Sequence, residues 1–452
     1  MRDSFPMNLS QITAALREIH VSPVKSLGQN FLHDQNLIRW IIEQAEVTSE
    51  DYVVEIGPGL GALTGDALGK GAQVLVIEKD ARLAKFLAQH FRDKKLEVLH
   101  QDALRFDVRT LFVHGRVKLV GNLPYYVSSP LLLKFLNYPS PIMLALFMLQ
   151  KDVAKRLSAS PSSKDYGALT LLIQLHYQVK YLRTIPAAVF VPRPEVESAV
   201  VKFSPRAATE LPACDEELFR HLVRRGFSQR RKQLGKLLQG KISNWVQAAD
   251  SLGLDRKARA ESLSLEQWIA LTNYVGPIAI RKRNETETES FPIVDQQDRA
   301  VGAAARSEVH GNNLRHRAVH IFVFNQTGDI LLQKRSRQKD RHPLLWDSSA
   351  AGHVRVGEEY DFAAKRELQE ELGVEIQLEK VLKLPASDRT DQEFIWLYRG
   401  HDGGKSRPDR GEIEAVLFFP PAVVTKWIAA RPGDFAPAFV ECWKAYKERG
   451  GR

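Results

Sequence analysis

From Asp51 to Met148 the chain alternates strand-like and helix-like runs. YVVEI (52–56), QVLVIE (73–78), LEVLH (96–100), VKLVGN (117–122) and IMLALFM (142–148) are interleaved with ALTGDALGK (62–70), ARLAKFLAQHF (81–91) and PLLLKFL (130–136). A strand that reaches its neighbour only through a helix pairs with it in parallel, because a tight hairpin is not available to it. The alternation therefore predicts an α/β domain, doubly wound about a parallel sheet. In such a sheet ligands sit beyond the carboxyl ends of the strands.

The rest of the chain reads differently. Residues 206–273 are helical in pattern and rich in Arg and Lys, and 274–290 form a polar stretch without apolar periodicity, read as a linker. Beyond it, FPIVDQQDRAVG, HRAVHIFVFNQTGDILLQKR and EFIWLYRG read as strands and hairpins around one long helix at 359–372. The expected plan is thus a doubly wound domain at 1–205, a basic helical domain at 206–273, the linker, and an α+β domain at 291–452. A length of 452 residues accommodates three such bodies, and 44% hydrophobic with 26% charged residues marks folded rather than disordered chain. The formal net charge of +10 favours a polyanionic partner. Cys214 and Cys442, the two cysteines, are too far apart in sequence to suggest a disulfide framework or a thiolate metal site, which fits a reducing compartment. The N-terminus has no continuous apolar stretch and no run has the length of a membrane span, so a cytoplasmic location is expected.

The turn EIGPGLGAL (55–63) leaves a strand and opens a helix, as a nucleotide-binding loop does, with Gly57 and Gly59 allowing close backbone approach. Glu78 ends the next strand, where a carboxylate can accept ribose hydroxyls, and Asp102 follows the one after, where it can face an adenine edge. Taken singly, each acid reads more readily as a solvated loop carboxylate. The strand VKLVGN then stops on Asn122-Leu123-Pro124-Tyr125. An adenine amino group is a poor nucleophile because its lone pair is delocalised into the ring. Acceptance of its hydrogens by the Asn122 side-chain oxygen and the Leu123 carbonyl would turn that lone pair toward an electrophilic methyl group, with Tyr125 stacked on the base and Pro124 stiffening the turn.

These residues resemble the small-subunit rRNA adenine N6,N6-dimethyltransferases over roughly residues 20–272. The resemblance is carried by SLGQNFLHDQNLI (26–38), EIGPGLGALT (55–64), VIEKD (76–80), QDAL (101–104), GNLPYYVSSPLL (121–132), QKDVAKRL (150–157), DYGALTLLIQ (165–174), VFVPRPEVESAVV (189–201), FSQRRKQL (227–234) and RAESLSLEQW (259–268). It implies a Rossmann-like methyltransferase domain with a small all-helical domain, and S-adenosylmethionine held by Asn30, Leu32, Gly57, Glu78, Asp102 and Asn122. It further implies that Phe190 closes on the target base opposite Tyr125. The family modifies two adjacent adenosines in a hairpin near the 3′ end of 16S rRNA, late in small-subunit assembly. Tyr126 stands where relatives often carry Asn, and Glu195 and Glu197 where Lys and Asp are common. The basic set Arg220, Arg224, Arg225, Arg230, Arg231, Lys232 and Lys236 reads as an RNA-phosphate surface rather than a merely solvated helix face.

The second motif is GHVRVGEEYDFAAKRELQEELGV (352–374). Glu367, Glu370 and Glu371 stand at i, i+3 and i+4 of one helix, so their carboxylates share a face and repel unless a hard cation such as Mg²⁺ joins them. Such a metal neutralises a diphosphate and activates water at phosphorus. The spacing is that of the Nudix box, and residues 291–450 resemble Nudix hydrolases, whose fold is an α/β/α sandwich. The flanks are similar to the branch that also contains isopentenyl-diphosphate isomerases. Those need a catalytic cysteine near WDSSAAGH, where this chain has Ser348, Ser349, Ala350 and Ala351, so hydrolysis of a diphosphate is expected, with Glu371 central. Either Glu412 or Glu414 is a candidate for a further ligand or base.

The expected protein is therefore a monomeric two-enzyme fusion acting on 16S rRNA in the small ribosomal subunit and on a small diphosphate. Two alternatives stay open at this point: a resistance-type methylase acting on 23S rRNA, and an RNA-binding assembly factor whose Nudix part only docks.

Overall fold

The computed structural model describes residues 7–22, 29–92, 95–207, 210–276, 289–401 and 406–451. The chain divides into two compact units, one comprising Met1–Pro212 with Glu216–Gly276 and the other Pro277–Arg452 together with Ala213–Asp215. Of the expected linker, residues 277–288 lie outside the described set. On its flanks, the helix Leu265–Val275 runs up to Val275 and Ser290 opens a strand.

The first unit holds a seven-stranded sheet. Its strands are β2 (Tyr52–Ile56), β3 (Gln73–Glu78), β4 (Leu96–His100), β5 (Val117–Asn122), β6 (Ile142–Gln150), β7 (Tyr177–Ile185) and β9 (Ser198–Pro205), in the order β4-β3-β2-β5-β6-β9-β7. The five strands read from the alternation are parallel, whereas β9 pairs antiparallel with β6 and β7 antiparallel with β9. Two two-residue strands, β1 (Phe31–Leu32) and β8 (Phe190–Val191), pair antiparallel beside it.

Side chains on a strand alternate between faces, and the parallel strands are apolar on both. Val54, Ile77, Leu119 and Phe147 enter one core with Leu131, Leu132 and Phe135 of the helix Ser128–Phe135. Val53, Val76, Val120 and Leu146 enter the other with Ile38, Ile41 and Ile42 of the helix Gln35–Gln44. Coverage on both sides leaves the strand ends as the place where polar groups can gather. Gly121 allows that gathering: a Cβ there would lie 2.6 Å from the Ile56 carbonyl oxygen, so any side chain would push β5 away from the glycine loop.

The basic part contributes the helices Glu216–Gly226, Trp245–Ser251 and Leu265–Val275, packed through Phe219, Leu222, Val223, Trp268 and Ile269, all fully buried.

In the second unit β10 (Ser290–Val294) and β11 (Ala300–Ala305) form a hairpin. A seven-stranded mixed sheet follows, built from β12 (His316–Phe324), β13 (Ile330–Arg335), β14 (Trp346–Asp347), β15 (Ala350–His353), β16 (Leu378–Leu384), β17 (Glu393–His401) and β18 (Ile413–Phe419). Its main path is β14-β13-β12-β17-β16, with β15 on β12 and β18 on β13. One face carries the helix Tyr360–Leu372, anchored by Ala363, Ala364, Leu368 and Leu372. The C-terminal helices Pro421–Ala430 and Pro437–Glu448, not anticipated from the sequence, bury Trp427, Phe439 and Trp443. Their prolines at the first turn mark starts, but their apolar stripes are short. Among the described residues no helix is long and apolar enough to cross a membrane.

Candidate active sites

In the first unit, β2, β3, β4 and β5 end side by side. The turn after β2 needs positive φ at Gly57 (+66°), Gly59 (+59°) and Gly61 (+85°), a region that L side chains disfavour. The turn is tied to the next strand: Glu78 accepts from the Gly59 N–H at 3.3 Å and from the Asp80 N–H at 2.8 Å, and burial raises its carboxyl above the usual range. Asp102 accepts from the Leu104 N–H at 3.0 Å and pairs with Lys79 at 2.9 Å, which lowers its carboxyl. Asn122 closes the arrangement. Its Nδ2 donates to the Asn30 carbonyl at 2.9 Å. A carbonyl only accepts, so this bond assigns the amide orientation and leaves Oδ1 as the atom turned the other way.

One cleft is lined by Asn30, Leu32, Gly57, Gly59, Glu78, Asp102, Asn122 and Pro124. Every residue expected to hold the cofactor is thus brought together. The aromatic expectation fares differently. Phe190, expected to face the base opposite Tyr125, is 2% exposed and packed in the core, because the β1–β8 pairing sets it against Leu32. Leu123 is also buried, its N–H donating to the Met148 carbonyl at 3.1 Å, and Tyr125 is half-buried with its hydroxyl 2.7 Å from Ser198 Oγ. Two other aromatics line the cleft, the buried Phe31 and Tyr126, which is 57% exposed.

Sequence reasoning also passed over Glu55, which lines the cleft although it lies within the strand YVVEI. A charge inside an apolar strand was the available signal. Thr64 Oγ1 donates to it at 2.5 Å, and burial pushes its carboxyl up to about 8.

The expected RNA surface divides. Arg224, Arg231, Lys232 and Lys236 are exposed. Arg225 and Arg230 are exposed as well, but Arg225 donates to the Leu237 and Gln239 carbonyls and Arg230 to the Lys164 and Tyr166 carbonyls, so part of each guanidinium is held by its own fold. Arg220 bonds Asn137 and Glu216. A charge run in sequence does not reveal which members meet backbone oxygens.

In the second unit the glutamate helix ends on Gly373 (φ +65°). Arg366 organises its acids: Nε and Nη2 donate to Glu358 at 2.7 and 2.9 Å, Nη1 to Glu367 at 2.6 Å and Glu370 at 3.2 Å, and Nη2 to the His353 carbonyl at 2.9 Å. Glu371 accepts from Gln333 Nε2 at 3.0 Å and from the Ala351 N–H at 3.1 Å. A Cβ at Gly352 would lie 2.1 Å from the Glu367 carboxyl carbon, so a side chain there would displace that carboxylate from Arg366. Glu367 and Glu371 line a cleft together with Glu412, Arg337 and Lys339, and Lys339 pairs with Glu412. Glu414 is instead paired with Arg337 and lies off the cleft lining. Glu370, expected beside the other two, sits on the flank of the helix toward Arg366 and Arg355. Burial pushes Glu367 up to about 7 and Glu371 up to about 8, and the neighbouring carboxylates add to this. Buried acids that raise one another in this way fit a hard divalent cation, which removes the repulsion.

The two units therefore carry the features of two enzyme classes, a nucleoside-cofactor methyltransferase and a Nudix hydrolase. The chain belongs to the ribosomal RNA adenine dimethylase family, whose profile matches residues 22–276, and a NUDIX domain profile matches residues 314–439. It is an enzyme with both activities. The first family uses S-adenosylmethionine, and Nudix domains generally use a divalent metal such as Mg²⁺. Ribosomal RNA small subunit methyltransferase A of Chlorobium phaeobacteroides is 39% identical over 262 residues, covering 58% of this chain and 97% of that protein. The protein of the same name from Clostridium acetobutylicum is 38% identical over 256 residues, covering 56% and 93%. Among solved structures, a dimethyladenosine transferase from Plasmodium falciparum aligns at 24% identity with a TM-score of 0.45, covering 54% of this chain and 98% of that one.

Glu55 yields a prediction about stability. Its carboxyl ordinarily titrates near 4.5 and is raised to about 8 by the fold, so the folded chain retains a proton that the unfolded chain releases. That contribution is complete below the unfolded value and is lost as pH rises through the folded one. Glu55→Gln cannot ionise. The variant should match the parent near about pH 5 and exceed it near about pH 9, by about 1.4 kcal/mol for each tenfold difference in proton affinity between the folded and unfolded carboxyl. Thermal unfolding of both proteins across that range checks it, and a constant difference would show that Glu55 does not titrate between the two limits.

Proposed function

We propose that the first unit dimethylates N6 of two adjacent adenosines in the 3′-terminal hairpin of 16S rRNA during small-subunit biogenesis, and that the second hydrolyses a small diphosphate with Mg²⁺. We take the chain to act as a monomer in the cytoplasm. The observation that supports the first reading is the Asn122–Asn30 hydrogen bond, which occupies the amide N–H and turns the amide oxygen away from Asn30, as acceptance from a target amine would require. The small-subunit assignment is supported by relatives of that name matched over 93% to 97% of their length.

Bound S-adenosylmethionine supplies the electrophilic methyl group. Asn30, Leu32, Gly57, Gly59, Glu78 and Asp102 would hold it, Glu78 at the ribose and Asp102 at the adenine edge. Asn122 Oδ1 and the Leu123 carbonyl would accept the target amine's hydrogens. Stacking by Tyr125 and Phe190 requires both rings to turn out of their present packing, and Tyr126 already stands on the cleft. In the second unit Glu367 and Glu371, with Glu412 rather than Glu414, would hold the metal, whose chemistry is to neutralise the diphosphate and activate water. Glu370 would bear on it through Arg366. The complete carboxylate set supports hydrolysis over a docking role.

Asn122→Ala should depress methylation of undermodified small subunits by roughly 10²–10³-fold, the cost of one lost hydrogen bond in a positioned site, with cofactor binding reduced far less. Near-normal turnover would overturn the role. In the second unit, Glu371→Gln should lose metal-dependent phosphate release by orders of magnitude while methyl transfer persists, because the two sets of residues lie in separate units. Parallel loss of both activities in a folded variant would contradict that independence. On the RNA surface, Arg231→Glu and Lys232→Glu should each flatten the dependence of log affinity on log salt by about 0.7 for each phosphate no longer neutralised. Arg230→Gln should lower the melting temperature instead, through its lost bonds to the Lys164 and Tyr166 carbonyls.

A further inference from the structure

His320 interrupts the apolar run AVHIFVF in β12 and is 4% exposed. Val319 and Ile321 turn into the core under the glutamate helix, so His320 projects from the opposite face of the sheet. It lines the same cleft as Glu367 and Glu371. Its partner in register on β15 is Ala351, whose N–H donates to Glu371. An imidazole so placed is either a satisfied core histidine or a group that serves whatever enters the cleft.

The surroundings of its two nitrogens decide between these. Nδ1 lies 2.7 Å from Oγ of Ser348, a residue buried at 0% exposure. Asp347 Oδ1 is 3.8 Å from the same nitrogen, beyond hydrogen-bond reach, and accepts instead from the Ser348 N–H at 2.7 Å. A buried hydroxyl has one proton to place, and among the described residues Nδ1 is the acceptor that it meets. If a neutral ring carried its proton on Nδ1, the Ser348 hydroxyl hydrogen would be left without a partner. Nδ1 therefore accepts and Nε2 carries the ring proton, while a doubly protonated ring would keep an N–H at Nε2 as well. Ser348 holds the Nδ1 edge against the buried interior, so the Nε2 edge is the one left to the cleft.

Cations on the same lining are already engaged: Arg335 by Asp347, Arg337 by Glu414 and Lys339 by Glu412. Asp347 approaches the His320 ring from the Nδ1 side, so the Nε2–H stays a donor that this carboxylate does not claim. We propose that His320 is a further substrate-contacting residue of the second unit, donating from Nε2 to a phosphoryl oxygen of the bound diphosphate, with Ser348 as the positioning residue that fixes its tautomer. The proposal rests on the reading of this unit as a diphosphate hydrolase. A phosphoryl oxygen is an anionic acceptor, and a directed N–H complements it with one charge-assisted hydrogen bond.

The test uses the full chain labelled with ¹⁵N-histidine. Without ligand, the His320 ring, assigned by the signals lost in His320→Gln, should show a bare Nδ1 and a protonated Nε2. Ser348→Ala should turn this into a mixture of both tautomers. With Mg²⁺ and methylenediphosphonate, a diphosphate analogue that water does not cleave, the Nε2 signal should shift. His320→Leu should weaken diphosphonate binding by about 10–100-fold, the worth of one hydrogen bond to a charged group. His320→Gln, whose amide N–H can reach the same point, should recover most of that loss. The parent's tautomer is read without His320→Leu, so the proposal stays open to refutation even if that variant does not fold. A ring protonated at Nδ1, undiminished binding in His320→Leu, or equal loss in His320→Leu and His320→Gln overturns the proposal and leaves the hydrolase reading standing. A parent that binds no diphosphonate overturns both.

Discussion

Taking a carboxylate out of water is costly, and both units of this chain do so, the first near the ends of its strands and the second on a helix. Glu55 and Glu78 are buried beside the glycine turn, and Glu367 and Glu371 on the inner face of the Nudix helix. Each is held by named donors: Thr64 for Glu55, two backbone N–H groups for Glu78, Arg366 for Glu367, and Gln333 with the Ala351 N–H for Glu371. These bonds reduce the desolvation penalty without removing it, and three of the four carboxyls are raised to about 7 or 8. Charge that the fold leaves imperfectly balanced is what a bound ligand or metal can complete.

The two sites achieve this differently. In the first, geometry does most of the work: left-handed glycines, the bare Cα of Gly121 against the Ile56 carbonyl, and an amide oriented by a single hydrogen bond. The chemistry proposed there, positioning an amine and accepting its hydrogens, calls for no strong base. In the second, electrostatics dominates. The Arg366 guanidinium links three glutamates and one carbonyl, Gly352 lets the Glu367 carboxylate approach the sheet, and cations at 337 and 339 face the acids across the cleft. Such a cleft suits a phosphate-bearing molecule, whose charge neither set of side chains can balance alone.

Arginine has a double use in the basic part. Its planar fork serves backbone carbonyls as readily as phosphates, and Arg225 and Arg230 are committed to the former. Arg224, Arg231, Lys232 and Lys236 are exposed as well, so the run of charges mixes cations tied to backbone oxygens with others that face outward.

Much of this was legible in the order of residues. Alternating apolar runs determined the parallel strands, because strand and helix periodicities are local. The glycine turn, Glu78, Asp102 and Asn122 fell at strand ends, and the i, i+3, i+4 glutamates fell on one helix, for the same local reason. What needed the tertiary structure was everything that depends on which distant segments meet. Phe190 is hidden because β8 pairs with β1, Glu412 in the turn ahead of β18 lines the cleft while Glu414 within that strand pairs with Arg337, and Glu370 is drawn to the flank by two arginines. His320 and Ser348 meet only when β12 and β15 are paired. They stand 28 residues apart in different parts of the sheet, so no local pattern in the sequence could announce their bond.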